Sequence, residues 1–277
     1  MRLVPLFVAA LAAALPASAE SQAPQPAAFS YADLADLSLQ APIAAHVRVA
    51  RARLLKGDSA AGVAADKARF YVEAEVVSLI RSAQPLPARV SYVVDLPRNA
   101  KGKAPKLAKK SEFILLASPV AGYANELRLV APDAQIPYTP AAADRVRAIR
   151  REASGAGAPP RITGIGRAFH VPGAIAGESE TQIFLQTAEG LPVSLNVLRR
   201  PGQTPQWAVA LGEIVDEAAG PPQRDTLLWY RLACTLPRAL PPQSLAEAEP
   251  GTGPAIEDDY RLIIERLGPC VRTRRPR

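Results

Sequence analysis

Apolar and polar side chains alternate most clearly between Arg69 and Ser82. Phe70, Val72, Ala74 and Val76 face one way, and Arg69, Tyr71, Glu73 and Glu75 the other, the period-2 pattern of a half-buried strand. Pro85 and Pro87 interrupt the chain before a second run, Ala88–Asp95. Phe113-Ile114-Leu115-Leu116-Ala117 has no polar face and suits a strand covered on both sides. In Ala44–Leu54, Val47 and Val49 share a face, whereas Ala50, Ala52 and Leu54 alternate against Arg51 and Arg53. One extra residue moves every later side chain to the other face, so this change of phase predicts a β-bulge. Glu112–Ser118 and Glu126–Val130 complete a set of five strands. A long bulged strand followed by an antiparallel meander is what a small closed barrel needs to bend back on itself. Asp33–Leu39 suits a short helix or turn packed on that β-structure, and Gly57–Ala65 a loop.

Asp144–Arg151 follows Thr139-Pro140 and predicts a short amphipathic helix, with Val146 and Ile149 at i, i+3 and arginines around the rest. Ser154–Pro160, rich in glycine and proline, reads as a linker and domain boundary. Beyond it, Arg161–Val171, Thr181–Thr187, Val193–Leu198, Trp207–Val215 and Thr226–Cys234 are predicted strands, with Thr187–Pro192 a hairpin connection. Glu257-Asp258-Asp259 opens a last helix with charges that suit an N-terminus. Tyr260, Ile263, Ile264 and Leu267 form its apolar face, and Gly268-Pro269 stops it.

The first residues read as processing signal. Arg2, the apolar Leu3–Leu15 and Ala17-Ser18-Ala19 are the parts of a secretory signal peptide over 1–19. The apolar run is shorter than the ~20 residues that cross a bilayer. A periplasmic or secreted protein without a membrane span in its mature chain is expected, starting with a flexible Pro- and Gln-rich lead-in over 20–43. Export makes a disulfide between Cys234 and Cys270 the default for the two cysteines.

Positive charge is concentrated. Lys101, Lys103, Lys106, Lys109 and Lys110 share one loop, and Arg272, Arg274, Arg275 and Arg277 add a basic tail. Those nine exceed the formal net charge of +7, so the remaining surface reads as near neutral. That argues against a nucleic-acid face spread over the molecule. The lysine loop is either a solvated connection or an electrostatic contact with an anionic surface or an acidic envelope protein.

Strand spacing over 44–130 and the Lys109-Lys110-Ser111-Glu112-Phe113-Ile114-Leu115-Leu116 approach to the fourth strand resemble an OB-type barrel of the netrin-like or metalloproteinase-inhibitor kind. The resemblance implies the fold. Inhibitors of that family chelate a metal through an N-terminal Cys, which the expected start at Glu20 does not offer. The chain also resembles exported proteins common in proteobacteria with Ala-, Arg- and Pro-rich proteomes. The fold class is then mainly β with minor α: an OB-like five-stranded barrel with a trailing helix over 44–153, a linker at 154–160, and a second antiparallel β domain over 161–277 closed by a C-terminal helix.

Motifs for catalysis are weak. His170 with Ser179 and the flanking Glu178 and Glu180 could assemble a hydrolase site, yet Gly177-Glu178-Ser179-Glu180-Thr181 lacks the second glycine of a nucleophile elbow. His46, at the start of a strand, reads as structural. His46, His170, Cys234 and Cys270 have no local pairing at zinc-ligand spacing, and Gly164-Ile165-Gly166 lacks the rest of a dinucleotide fingerprint. No cofactor and no metal are expected. The leading expectation is a non-catalytic envelope protein that binds or scaffolds. A hydrolase centred on His170 and Ser179 and an OB-like inhibitor of an envelope protease are the alternatives.

Overall fold

The computed structural model describes residues 29–212 and 219–274; the signal-peptide reading falls outside them. Helix α1, Tyr31–Gln40, begins at a capping box. The Ser30 hydroxyl accepts from the Asp33 amide at 3.1 Å, and the Asp33 carboxylate accepts from the Ser30 amide at 3.0 Å. Tyr31, Leu34, Ala35 and Leu37 are buried. From Tyr31 on, the stretch read as flexible lead-in is therefore an ordered, buried helix, because its own cap and apolar face hold it in the core.

Strands β1 (Ile43–Leu54), β2 (Lys67–Arg81), β3 (Arg89–Pro97), β4 (Glu112–Val120) and β5 (Tyr123–Leu129) form a closed barrel in the order β1-β2-β3-β5-β4, with β4 returning to pair β1. This is the OB-like topology. It is not a plain meander, since β3 and β5 pair in parallel at Ser91↔Glu126 and Tyr92↔Leu127. The predicted bulge is present. The β1–β2 register shifts between Val49 and Arg51, leaving Ala50 as the extra residue, and shifts twice more nearer the start of β1. Those shifts let one strand bend far enough to pair with β2 along its length and with β4 over Ile43–Arg48. A short strand β6, Gln135–Pro137, extends the sheet beside β4.

Two apolar clusters result. Val47, Val49, Phe70, Val72, Ala74, Val94 and Leu115 belong to one within the barrel wall. Ile114 and Leu116, alternating with Leu115 and Ala117 on β4, belong to the other, so the all-apolar run is covered on both faces as read. That second cluster also takes in α1, helix α2 (Pro140–Ser154) through Ala143, Val146 and Ile149, and much of the second half. It spans both sides of the Ser154–Pro160 segment, whose Pro159 and Pro160 are themselves buried.

The second sheet is an antiparallel meander, β10-β9-β8-β7, built from β7 (Ile162–Pro172), β8 (Ser179–Thr187), β9 (Val193–Arg199) and β10 (Gln206–Ala210). Beyond Gly212, the predicted strand Trp207–Val215 leaves the described residues. The predicted strand Thr226–Cys234 is instead helix α3, Leu227–Ala233. Thr226 caps it by accepting from the Trp229 amide at 3.3 Å, and a seven-residue run this rich in apolar residues fits either period. Helix α4, Gly253–Leu267, begins four residues before Glu257. Asp259 consequently lies inside it and is buried, rather than complementing its N-terminus. Cys234, capping α3, is disulfide-bonded to Cys270, just past α4. Among the described residues no helix is long and apolar enough to cross a membrane.

Candidate anion-binding site

The lysine loop joins β3 to β4 and is pinned, not free-hanging. The Asn99 side-chain oxygen accepts from the Lys101 and Lys103 amides, each at 3.0 Å, and the Lys110 amide donates to Val49 at 2.8 Å. Ala104 and Leu107 pack against the barrel cluster. All five lysine side chains are exposed.

His170 does not meet Ser179. On the β7–β8 ladder it lies opposite Thr181, while Ser179 lies opposite Pro172. His170 Nδ1 is 2.8 Å from the Thr181 hydroxyl, which donates to Oδ2 of the buried Asp259. Arg199 Nε holds the other carboxylate oxygen at 2.7 Å. The chain His170–Thr181–Asp259–Arg199 ties β7, β8, α4 and β9 together and leaves no buried charge unanswered. His46 stacks on Tyr138 with ring centroids 3.6 Å apart and lies 3.0 Å from Glu112. Hydrogen bonds from Arg48 and then from His46 hold the Glu112 carboxyl below its usual range. Among the described residues no group of three or more His, Cys, Asp or Glu side chains could hold a metal ion.

A different set of residues converges. Arg81 ends β2, Arg150 lies in the last turns of α2, Arg161 precedes β7, and Arg231 is on α3. All four line one cavity of about 410 Å³, with Ser154 and Tyr230. Arg81 Nη1 donates to the Ser154 hydroxyl at 2.9 Å, and Arg150 Nη1 donates to the Ser38 carbonyl at 2.6 Å. The Nε–H of Arg150 is buried without a partner. Burial lowers the Arg150 pKa, and the positive charge of Arg81 lowers it further. Burial also lowers that of Arg231; Glu189 opposes the shift and Arg161 adds to it. Among the described residues Arg161 alone of the four is hydrogen-bonded to a carboxylate, that of Glu189, whose two oxygens accept from the Arg161 amide at 2.8 Å and Nε at 2.9 Å. Glu189 reaches it from the predicted β8–β9 hairpin turn.

Several arginines elsewhere are paired with acids: Arg48 with Glu112, Arg69 with Asp95, Arg199 with Asp259, Arg272 with Asp36 and Arg274 with Asp133. Arg272 and Arg274, two of the basic tail, are thus each paired with a carboxylate. Within a remainder that is near neutral in sum, four guanidiniums are gathered at one hollow. Like charges brought together lower one another's stability unless an anion joins them. The sequence conceals this site, since its four arginines come from four elements far apart in the chain. The available signal was the arginine flank of the α2 stripe, beside Ile149.

No family model and no curated protein matches this chain.

Proposed function

We propose that this is an exported, non-catalytic binding protein of the cell envelope whose ligand is anionic and sits in the arginine-lined cavity. The observation that carries the reading is the convergence of Arg81, Arg150, Arg161 and Arg231 on one hollow, with a buried Arg150 donor left unpaired. A guanidinium offers planar paired donors that match carboxylate, sulfate or phosphate oxygens. The Cys234–Cys270 disulfide and the signal-like first residues support export to an oxidising compartment. A hydrolase centred on His170 and Ser179 ranks second, since the histidine bonds Thr181 instead. An inhibitor role for the barrel has no comparable arrangement behind it.

The lysine loop is the rival anion site, at the opposite end of β2 and ~45 Å away along that strand. Titration calorimetry with inorganic pyrophosphate separates the two. Arg150→Gln with Arg231→Gln is expected to weaken binding at least tenfold, the equivalent of ~1.4 kcal/mol, with exposed Arg81→Gln as the variant least able to disturb folding. Changing all five loop lysines to Gln is expected to leave the affinity within about twofold. Loss of binding in the lysine variant alone would move the site to the loop, and no binding by the parent protein would end the reading.

A further inference from the structure

A second cavity, of about 420 Å³, lies against the first and shares Arg81, Arg150 and Ser154 with it. Arg147 and Arg151 of α2 also line it, as do Leu79, Ile80 and Ser82 at the end of β2. Ser82 in turn lines a third and larger hollow, about 850 Å³, at the mouth of the barrel. That hollow lies between the β2–β3 loop and the β4–β5 turn. Its lining has no charged side chain and includes Ile43, Leu86, Val120, Tyr123 and Leu127, with several prolines between them. Its size is that of a small-molecule pocket. Two of the large apolar side chains left open to water lie along this route, Leu79 at 45% and Tyr123 at 59% exposure.

We infer that the anionic ligand is an amphiphile, with its charged head among the arginines and its hydrocarbon chain laid past Ser82 into the apolar mouth of the barrel. The inference rests on the arginine cavity being an anion site and adds the class of molecule that fills it. Charge complementarity fixes the polarity. The head must be negative, because one end of the route is lined by arginines, and the tail must be uncharged, because the other end has no charged side chain and no polar one beyond Ser82, Gln84 and the Tyr123 phenol. A free inorganic anion would leave the apolar half unused. A neutral amphiphile would leave the Arg150 Nε–H and the crowded positive charge without an anion.

The test uses the full mature protein with single alkyl phosphates held below the concentration at which they form micelles. Affinity is expected to rise from inorganic phosphate through butyl to octyl phosphate, with a gain per methylene of up to about fourfold for complete burial. Leu86→Ser on the β2–β3 loop with Tyr123→Ser at the exposed start of β5 should abolish the chain-length gain while keeping phosphate binding. Arg150→Gln should weaken every member of the series, and alkyl trimethylammonium of equal length should not bind. If phosphate binds but chain length adds nothing, the amphiphile is overturned and the anion site stands. If the cationic and anionic amphiphiles bind alike, both fall. Binding to vesicles of anionic lipid with none to the monomeric phosphates would assign the surface to a bilayer and overturn the single-ligand inference. Sedimentation showing a dimer that Leu86→Ser with Tyr123→Ser dissolves would assign the mouth to a second copy, with the same consequence.

Discussion

Asp33 does two jobs with one carboxylate. It closes the capping box of α1, and its Oδ2 also accepts from the Thr273 amide at 2.9 Å, the Thr273 hydroxyl at 2.5 Å and the Arg274 amide at 3.2 Å. Burial pushes its pKa up, but the bonds from Thr273 and Ser30 outweigh burial and hold it below the usual value. A carboxylate depressed in the folded state contributes stability above its unfolded pKa, ~3.9, and loses it as pH falls through the lower folded value. Asp33→Asn is therefore expected to cost about 2–4 kcal/mol at pH 7, with the difference from the parent shrinking below pH 4. Urea midpoints at pH 7 and in steps from pH 4 downward would show it, and a pH-independent difference would sink the charge argument. The Asp33–Leu39 helix was legible from local pattern. Its partners were not, because they lie 240 residues away and no periodicity links them.

Patterns that repeat over many residues survived best. The alternation of β2 and the change of phase in β1 gave observed strands, since many residues vote together, whereas the short stripe Asp144–Arg151 found the helix but not its full extent, Pro140–Ser154. Seven residues were too few for α3, where a capping threonine decided for helix. The disulfide was readable from the expectation of export and a count of two cysteines, although it joins two helical ends rather than a strand and a helix. Replacing both Cys234 and Cys270 with Ser is expected to cost ~3–4 kcal/mol, the loop-closure term for a bridge of this span. Hydrogen exchange should then rise in α4 and residues 270–274 before it rises in β2. Equal loosening everywhere would mean that the bridge acts on the whole fold and not on this corner.

At the scale of the molecule, glycine and proline suggested a boundary that the apolar residues bridge. Ile114, Leu116, Val146, Ile183, Leu195 and Ile263 belong to one buried cluster that spans the Ser154–Pro160 segment. Cleavage between Gly155 and Arg161 is expected to yield two fragments on a denaturing gel that elute together on native size exclusion. Separate elution would show that each half holds its core alone. The arginine cavity stayed hidden for a related reason: it is assembled by the packing of α2, α3 and the end of β2, and packing has no period along the chain.

The clasp between Asp33 and Thr273 also sets an order of events. A ribosome makes α1 early, yet the residues that complete its anchoring emerge some 240 positions later. At ~5–20 residues per second, that interval is about 10–50 seconds during which α1 has no final seat. Until then the bonds that Thr273 and Arg274 donate to Asp33 cannot form, so the helix made first is locked in place from the far side of the sequence.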